Sequence, residues 1–245
     1  SSESVLVLMG DGFHNLEVGE KGESITLGPM VIGADANRAL KPYGRKIGPD
    51  PASINAARIG GIVANNSSGM CCGTKDNSYH TLQDIRLVLF DGTILDTRDA
   101  QSVADFRKSH ADLLASLLDL RAQLILNPAL KERIETKYRL KNTTGYGVNA
   151  LIDFEDPVEI LTHLLVGSEG TLGFVSEVVY RTVPEYEHKA SAFIYFNSLA
   201  ECCEAVKALR KGAPVEAVEL LDGKSVHFVG AEIEDLPSFF YRELK

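Results

Sequence analysis

Short apolar runs bounded by turn residues predict the strands of this chain. Asp91-Gly92 stands between two such runs, at residues 84–90 and 94–97, and an Asp-Gly pair in that position is typical of a β-hairpin. The charged stretch 184–189 breaks the pattern and predicts a linker. The other predicted strands cover residues 4–8, 23–28, 174–180 and 191–196.

Apolar residues at helical spacing predict the helices. Between residues 109 and 126, leucines recur with a period that predicts an amphipathic helix packed on a core. Pro128 interrupts this helix, and a second helical stretch runs to about residue 138. Ser102 and Ser198 are predicted to cap helices. Further helices are predicted at 34–43, within 53–64, from Pro157 onward and at 198–211.

Composition limits the classes of protein to consider. The chain has 245 residues, of which 44% are hydrophobic and 24% charged, enough for a sizeable core in one large or two modest domains. The net charge of -9 argues against a nucleic-acid partner. No apolar run approaches the ~18–20 residues of a membrane span, and no signal peptide precedes Ser1. We therefore expect no transmembrane segment and a cytoplasmic location, with peripheral attachment at the inner face of the membrane as the alternative.

The cysteines and histidines give no metal or catalytic pattern. Cys71-Cys72 and Cys202-Cys203 are adjacent pairs without C-x-x-C spacing, so neither a disulfide framework nor a structural zinc site is predicted. Cys202 and Cys203 fall in a helical pattern and are expected to be buried or half-buried. The six histidines are scattered, and no catalytic triad can be argued. The catalytic residues stay unknown, and no metal site is predicted.

Two glycine-rich polar segments are the strongest functional signal. The first runs Gly60-Gly61-Ile62-Val63-Ala64-Asn65-Asn66-Ser67-Ser68-Gly69, and the second runs Gly167-Ser168-Glu169-Gly170-Thr171-Leu172-Gly173. Glycine permits positive φ and close approach of the backbone, and successive N–H groups can surround an anion. Asn and Ser side chains add hydrogen-bonding groups. Two such segments predict a large dinucleotide-like ligand held at several points, in a groove that Ser67 and Glu169 share.

Neither segment fits a common nucleotide or nucleophile motif. No Gly-Lys-Ser/Thr follows at Walker A spacing, and no G-x-G-x-x-G stands between a strand and a helix as in the Rossmann fingerprint. The nucleophile elbow G-x-S-x-G is absent as well.

Taken together, these segments resemble the FAD-linked oxidase family, which has the flavin-binding fold of vanillyl-alcohol oxidase and includes flavin D-lactate and D-2-hydroxyglutarate dehydrogenases. The matching stretches are Gly48-Pro49-Asp50-Pro51, 59–69, Asp76-Asn77, 87–93 and 167–177. The stretches 71–74 and 141–147 resemble most closely the large bacterial 2-hydroxy-acid dehydrogenases that carry an iron–sulfur region. The resemblance implies an α+β fold, a vanillyl-alcohol-oxidase-type FAD-binding domain of two α/β subdomains over residues 1–184. Residues 185–245 would begin a substrate (cap) domain.

The resemblance also implies roles for individual residues. One group would line the flavin diphosphate and isoalloxazine: Pro51, Gly60, Gly61, Asn65, Ser67, Ser68 and Gly69. A second group would lie at the adenosine end: Glu169, Gly170, Gly173, Phe174 and Val175. Glu169 would accept hydrogen bonds from ribose hydroxyls, and Phe174 and Val175 would offer backbone groups to the adenine edge. The alternatives are a solvated turn at residues 65–69 and plain strand core at Phe174 and Val175.

By this resemblance, the chain is expected to be the FAD-binding portion of a dehydrogenase that oxidises a 2-hydroxy acid. D-lactate, glycolate and D-2-hydroxyglutarate are the candidate substrates, with an iron–sulfur centre or quinone as electron acceptor. The alternatives are a flavin-binding subunit or electron-transfer module without its own turnover, and a sugar-nucleotide reductase. The family has a further pyrophosphate loop before the strand at residue 4, and its substrate domain continues past residue 245. The chain is therefore expected to be a fragment, inactive by itself, that holds FAD weakly or not at all, with any iron–sulfur cluster outside it.

Overall fold

A computed structural model describes residues 9–225 apart from 11 and 214, so the strand predicted at residues 4–8 lies outside the described residues. The chain divides into two compact units, Ser1–His188 and Lys189–Lys245. The assignment of residues 1–184 to the FAD-binding domain and of 185–245 to a cap domain stays a prediction.

Within its described residues, the first unit contains a six-stranded sheet in which every pairing is antiparallel. Its central strand β6 pairs with β2 and β4 along its length and with β3 at its end. The predicted hairpin is confirmed, since β4 and β5 pair on either side of Asp91-Gly92. The strands are β1 (Leu16–Val18), β2 (Ser24–Leu27), β3 (Arg45–Ile47), β4 (Leu82–Val88), β5 (Ile94–Asp96) and β6 (Phe174–Pro184).

Helices cover the sheet and contribute to one hydrophobic core with it. The predicted break at Pro128 is confirmed, because α5 ends at Ile125 and Pro128 opens α6 behind the Asn127 cap. Only the end of the stretch 53–64 is helical. The helices of the first unit are α1 (Gly33–Leu40), α2 (Ile59–Ala64), α3 (Ser78–Thr81), α4 (Ala100–Ser109), α5 (Ala111–Ile125), α6 (Pro128–Tyr138), α7 (Ala150–Asp153) and α8 (Pro157–Leu165).

Two local predictions are wrong. Asp99, not Ser102, caps α4, and the Ser102 hydroxyl instead accepts a hydrogen bond from the Asp96 amide. In the second unit, residues 191–196 form no strand, and Phe193 is 81% exposed. A strand needs a neighbouring strand to pair its backbone groups, and the sheet formed by the described residues does not include this segment. The capped helix after it is confirmed as α9 (Leu199–Gly212), with Ser198 as its cap.

A buried hydrogen bond connects the sheet with the first glycine segment. Tyr180 of β6 is fully buried and donates its hydroxyl to Ser78 Oγ at 2.8 Å, and burial raises the pKa of this tyrosine. Ser78 lies in α3 and is also fully buried, and its hydroxyl points to the Ile62 carbonyl 3.4 Å away in α2. The central strand is thereby connected to α2, the helix that contains the first half of the first glycine-rich segment.

His163 of α8 makes stability depend on pH. Its ring stacks on Phe154 and lies edge-on to Tyr79, and burial lowers its pKa below the ordinary value. The unfolded chain therefore binds this proton more readily, so stability should fall as pH drops from about 7 toward 5. His163→Phe should reduce the pH dependence of the urea-unfolding midpoint over this range. His188→Gln, at an exposed position, should leave that pH dependence unchanged. If the midpoint of His163→Phe changed with pH as much as that of the native chain, His163 would not be the source of the pH dependence.

Candidate functional site

The two glycine-rich segments hydrogen-bond directly to each other. The Gly167 amide donates to the Val63 carbonyl at 3.0 Å, and the Glu169 amide donates to the Ala64 carbonyl at 2.9 Å. The end of α2 and the turn after α8 are thus joined through their backbones. The prediction that the two segments lie together therefore agrees with the structure.

Asn65 connects the two residues that were expected to share a groove. Its amide nitrogen donates to Glu169 Oε1 at 2.6 Å, and its amide oxygen accepts from the Ser67 hydroxyl at 3.3 Å. Ser67 and Glu169 are thus linked through the Asn65 side chain by two hydrogen bonds. Asn65 and Glu169 are exposed, so these hydrogen-bonded side chains face solvent, where a ligand can reach them.

Both segments require left-handed backbone. Gly167 and Gly170 have φ values of 87° and 75°, which glycine adopts without penalty. Asn66 and Glu169 also have positive φ, at 47° and 53°, although each carries a Cβ. Asn tolerates this region, whereas glutamate adopts it only where the surroundings hold it there. A strained glutamate beside two glycines is a feature that accompanies binding sites.

Most amides of the first segment are used within the chain. Those of Asn65, Asn66 and Ser67 donate to carbonyls of the preceding helical turn, at 2.9 to 3.0 Å. These three amides therefore do not surround an anion, in contrast to the expectation from the sequence. Ligand groups would instead meet the Ser67 hydroxyl, the Asn65 side chain and the open backbone at Gly61.

Open backbone is present in both segments. A Cβ built on Gly61 or on Gly170 would meet no heavy atom of the described chain within 4 Å. Both residues are exposed. A planar or phosphorylated group can therefore approach the backbone closely at these two glycines, which is the space that a dinucleotide cofactor requires. The residues present fit the predicted ligand at these points.

Gly60 and Gly69 serve packing. A Cβ on Gly60 would lie 2.8 Å from Pro29 Cβ, and one on Gly69 would lie 1.8 Å from the Asp50 carbonyl oxygen. The Asp50 carboxylate accepts hydrogen bonds from the amides of Cys71 and Cys72, which closes the turn after Gly69.

The residues next to this turn are placed by the same packing. Pro51 follows Asp50 and is half-buried, with its carbonyl accepting from the Ile54 amide. Cys72 is buried behind the turn. Burial and the Asp50 carboxylate raise the pKa of its thiol to about 11, so the thiol stays protonated and unreactive at neutral pH.

The adenosine-end residues lie where β6 begins. Gly173 passes close to β4, since a Cβ there would lie 3.1 Å from the Val88 carbonyl. Phe174 is 37% exposed and meets Phe13 edge-on at 5.5 Å, so it is not strand core. Val175 packs against the core, in agreement with the alternative reading of that residue. The proposed backbone contacts of both residues with adenine stay predictions.

A third segment bridges the two glycine-rich segments, and it was not predicted as part of the site. Lys141 Nζ donates to the Ser68 carbonyl at 2.5 Å, and the Tyr146 hydroxyl lies 2.9 Å from Thr171 Oγ1. Ser68 itself is only 8% exposed. The stretch 141–147 carries no helical or strand period, so only its resemblance to the family could have indicated it.

A cavity of about 200 Å³, lined by both polar and apolar residues, opens beside the first segment. Asn66 belongs to its lining, while none of the twelve predicted site residues does. Tyr79 lies in its wall and donates its hydroxyl to Asp153 at 2.7 Å, and burial raises the pKa of this tyrosine. The predicted site residues thus lie outside the lining of this cavity.

Comparison with known proteins decides the identity of the ligand. Residues 1–98 match the model of the FAD binding domain family. The first 98 residues of the chain are thus similar to FAD-binding domains. The first glycine-rich segment lies within the matched residues, and the hydrogen bonds from Gly167 and Glu169 attach the second segment to it. The prediction of FAD as cofactor is confirmed.

Three curated relatives of this chain are named as oxidoreductases of 2-hydroxy acids. D-2-hydroxyglutarate dehydrogenase of Haemophilus influenzae is 26% identical over 231 residues, which are 89% of this chain and 22% of that protein. Glycolate oxidase subunit GlcD of Bacillus subtilis is 25% identical over 90% of this chain and 37% of that protein. D-lactate dehydrogenase [cytochrome] 1, mitochondrial, of Saccharomyces cerevisiae is 25% identical over 80% of this chain and 25% of that protein. The chain thus spans between about a fifth and two fifths of the length of these relatives.

A solved structure supports the fold. Alkyldihydroxyacetonephosphate synthase superposes with a TM-score of 0.54 at 17% identity, over 89% of this chain and 31% of that protein. Together with the mixture of helices and antiparallel sheet, this likeness confirms the α+β, vanillyl-alcohol-oxidase-type FAD-binding fold.

The described helices were also tested as membrane spans. Taken singly, none of them combines the length and the apolar character needed to cross a bilayer. The pair Ala111–Ile125 and Pro128–Tyr138 meets both criteria only when joined, and it is bent by 99°.

Proposed function

We propose that the chain is the FAD-binding portion of a dehydrogenase that oxidises a 2-hydroxy acid of the D-lactate, glycolate or D-2-hydroxyglutarate type. The relatives named above support this substrate class. The electrons would pass to an iron–sulfur centre or a quinone. A cytoplasmic location, or attachment at the inner face of the membrane, belongs to the same proposal.

The observation that carries the proposal is the direct joining of the two glycine-rich segments. Two backbone hydrogen bonds and the Asn65–Glu169 contact hold together residues far apart in the chain. A long ligand with chemically different ends needs such a composite surface, since one turn cannot contact both ends.

The chain's own residues would bind and orient the cofactor. The Glu169 carboxylate already accepts from Asn65 and can accept further hydrogen bonds, as ribose hydroxyls would require. The Ser67 hydroxyl and the open backbone at Gly61 would meet the flavin side, and Lys141 would hold the Ser68 carbonyl in place. When bound, FAD supplies the acceptor for the hydride that leaves the carbon bearing the hydroxyl group.

Flavin binding and substrate reduction test the proposal. FAD is added to the full-length protein that contains this chain, and D-lactate, glycolate and D-2-hydroxyglutarate are then screened with a dye as terminal acceptor. We expect the absorption spectrum of bound flavin, and its bleaching by one of the three acids. The absence of a bound-flavin spectrum would overturn the proposal.

A flavin-binding subunit without its own turnover is the second candidate. The relative in Bacillus subtilis is itself named a subunit, which favours a division of labour between chains. Bound flavin that none of the three acids reduces would support this candidate. Reduction of FAD by a hydroxy acid on this chain alone would refute it.

A further inference from the structure

Phe13 has a backbone conformation that a bulky residue rarely adopts. Its φ value is 63°, in the left-handed region where a Cβ crowds the following carbonyl group. Two neighbours hold its carbonyl oxygen in place. The Met30 amide donates to this oxygen at 3.1 Å, and Gly28 passes so close that a Cβ on it would stand 2.2 Å from the same atom. Strain of this kind is concentrated at ligand sites, so Phe13 calls for a functional explanation.

The ring of Phe13 lies at the surface and contacts a second exposed ring. Phe13 is 44% exposed, and its ring meets that of Phe174 edge-on, with 5.5 Å between the centroids and 77° between the planes. Phe174 is itself exposed, so both rings keep area that is open to solvent. Removing aromatic surface from water is favourable, so this pair is suited to receive a further flat, apolar group.

The two rings lie next to the second glycine-rich segment. Phe174 directly follows that segment and is the first residue of β6. Asn15 donates to Glu177 of the same strand, so the stretch that carries Phe13 is attached to β6 at a second point. Residues 169–175 are the predicted adenosine end of the cofactor site. Phe13 thus stands beside the adenosine end, although no motif in the sequence indicated it.

We propose that the ring of Phe13 stacks on the adenine of FAD, with Phe174 as the ring that holds Phe13 in place. This inference rests on the proposed binding of FAD and adds a side-chain contact to it. Aromatic side chains bind flat bases through their faces. Because a phenylalanine ring has neither a hydrogen-bond donor nor an acceptor, the pair suits the base and not the ribose or the phosphates.

Calorimetric titrations of the full-length protein that contains this chain, freed of flavin, test the contact. Phe13→Leu keeps an apolar side chain but removes the aromatic face, so it should weaken the binding of FAD and of ADP by about 10-fold. The affinity for CDP should fall less, because a single-ring base stacks over a smaller area, and the preference for ADP over CDP should therefore shrink. Riboflavin has no adenine, so its affinity should be unchanged. Phe13→Tyr retains the ring and should keep the native affinities.

Phe90→Leu is the matched control, at a 99% exposed residue of the hairpin turn, and it should change none of the four affinities. An unchanged affinity for ADP in Phe13→Leu would overturn the proposal and assign the two rings to contact with the rest of the polypeptide. An equal loss for riboflavin and ADP would overturn it too, because Phe13 would then support the fold. In both cases the native protein still binds FAD. A native protein that binds neither FAD nor riboflavin would instead contradict the flavin proposal, and this inference with it.

Discussion

Gly69→Ala is expected to destabilise the protein by about 2–3 kcal/mol, the upper part of the roughly 1–3 kcal/mol that forcing extra volume into a packed site usually costs. The added Cβ would stand 1.8 Å from the Asp50 carbonyl oxygen and 2.2 Å from Asp50 Oδ1. The contact with the carbonyl oxygen cannot be relieved by rotating a side chain, because that atom belongs to the backbone. The Asp50 carboxylate also holds the amides of Cys71 and Cys72, so the displacement would open the turn that follows the first glycine-rich segment.

Gly61→Ala provides the matched control in the same segment. Its Cβ would enter open space, and Gly61 lies within α2, where alanine is favoured over glycine by about 0.5–1 kcal/mol. In urea unfolding, Gly69→Ala should therefore lower the free energy of unfolding relative to the native chain, and Gly61→Ala should raise it. Equal stability of Gly69→Ala and Gly61→Ala would show that the Asp50–Gly69 approach is not a constraint on the turn.

Glu169→Gln is expected to weaken the binding of FAD and of ADP by about 10- to 100-fold. A hydrogen bond to a charged group contributes about 1.5–3 kcal/mol, and the substitution removes the charge while the amide oxygen can still accept from Asn65. Riboflavin lacks the adenosine end, so its affinity should be unchanged. Because the chain is expected to hold FAD weakly, the affinities are measured by titration rather than from flavin retained through purification.

The control for this variant is Glu132→Gln, at an exposed position of α6. It removes the same charge at a distance in sequence from both glycine-rich segments and should change none of the three affinities. If Glu169→Gln weakened the binding of riboflavin as much as that of FAD, Glu169 would act at the flavin end or by stabilising the folded protein. If it weakened neither FAD nor ADP, the ribose role of Glu169 would be wrong.

Local chemistry made several elements predictable from the sequence. Asp91-Gly92 specifies a turn by its own backbone preferences, and Pro128 must end a helix because it has no amide to donate. Asn66 and Gly167 belong to residue types that tolerate positive φ, so the two turns could be anticipated one at a time. Residues 191–196 show the limit of such reasoning, since a β-rich pattern forms a strand only where a partner strand is present.

Contacts between distant parts of the chain could not be predicted in this way. The hydrogen bond from Lys141 to Ser68 spans 73 positions, and that from Asn65 to Glu169 spans 104. No property of lysine or asparagine specifies such a partner, because packing of the intervening helices brings the two together. The engagement of the Asn65, Asn66 and Ser67 amides within their own turn was missed for a related reason, as a glycine-rich sequence does not show which amides the fold uses itself.

Hydrogen–deuterium exchange with and without saturating FAD tests most directly whether the two glycine-rich segments form one FAD site. We predict slower exchange in residues 65–69 and in residues 167–173 together, with the same dependence on FAD concentration. Protection of only one segment, or of neither, would contradict this account.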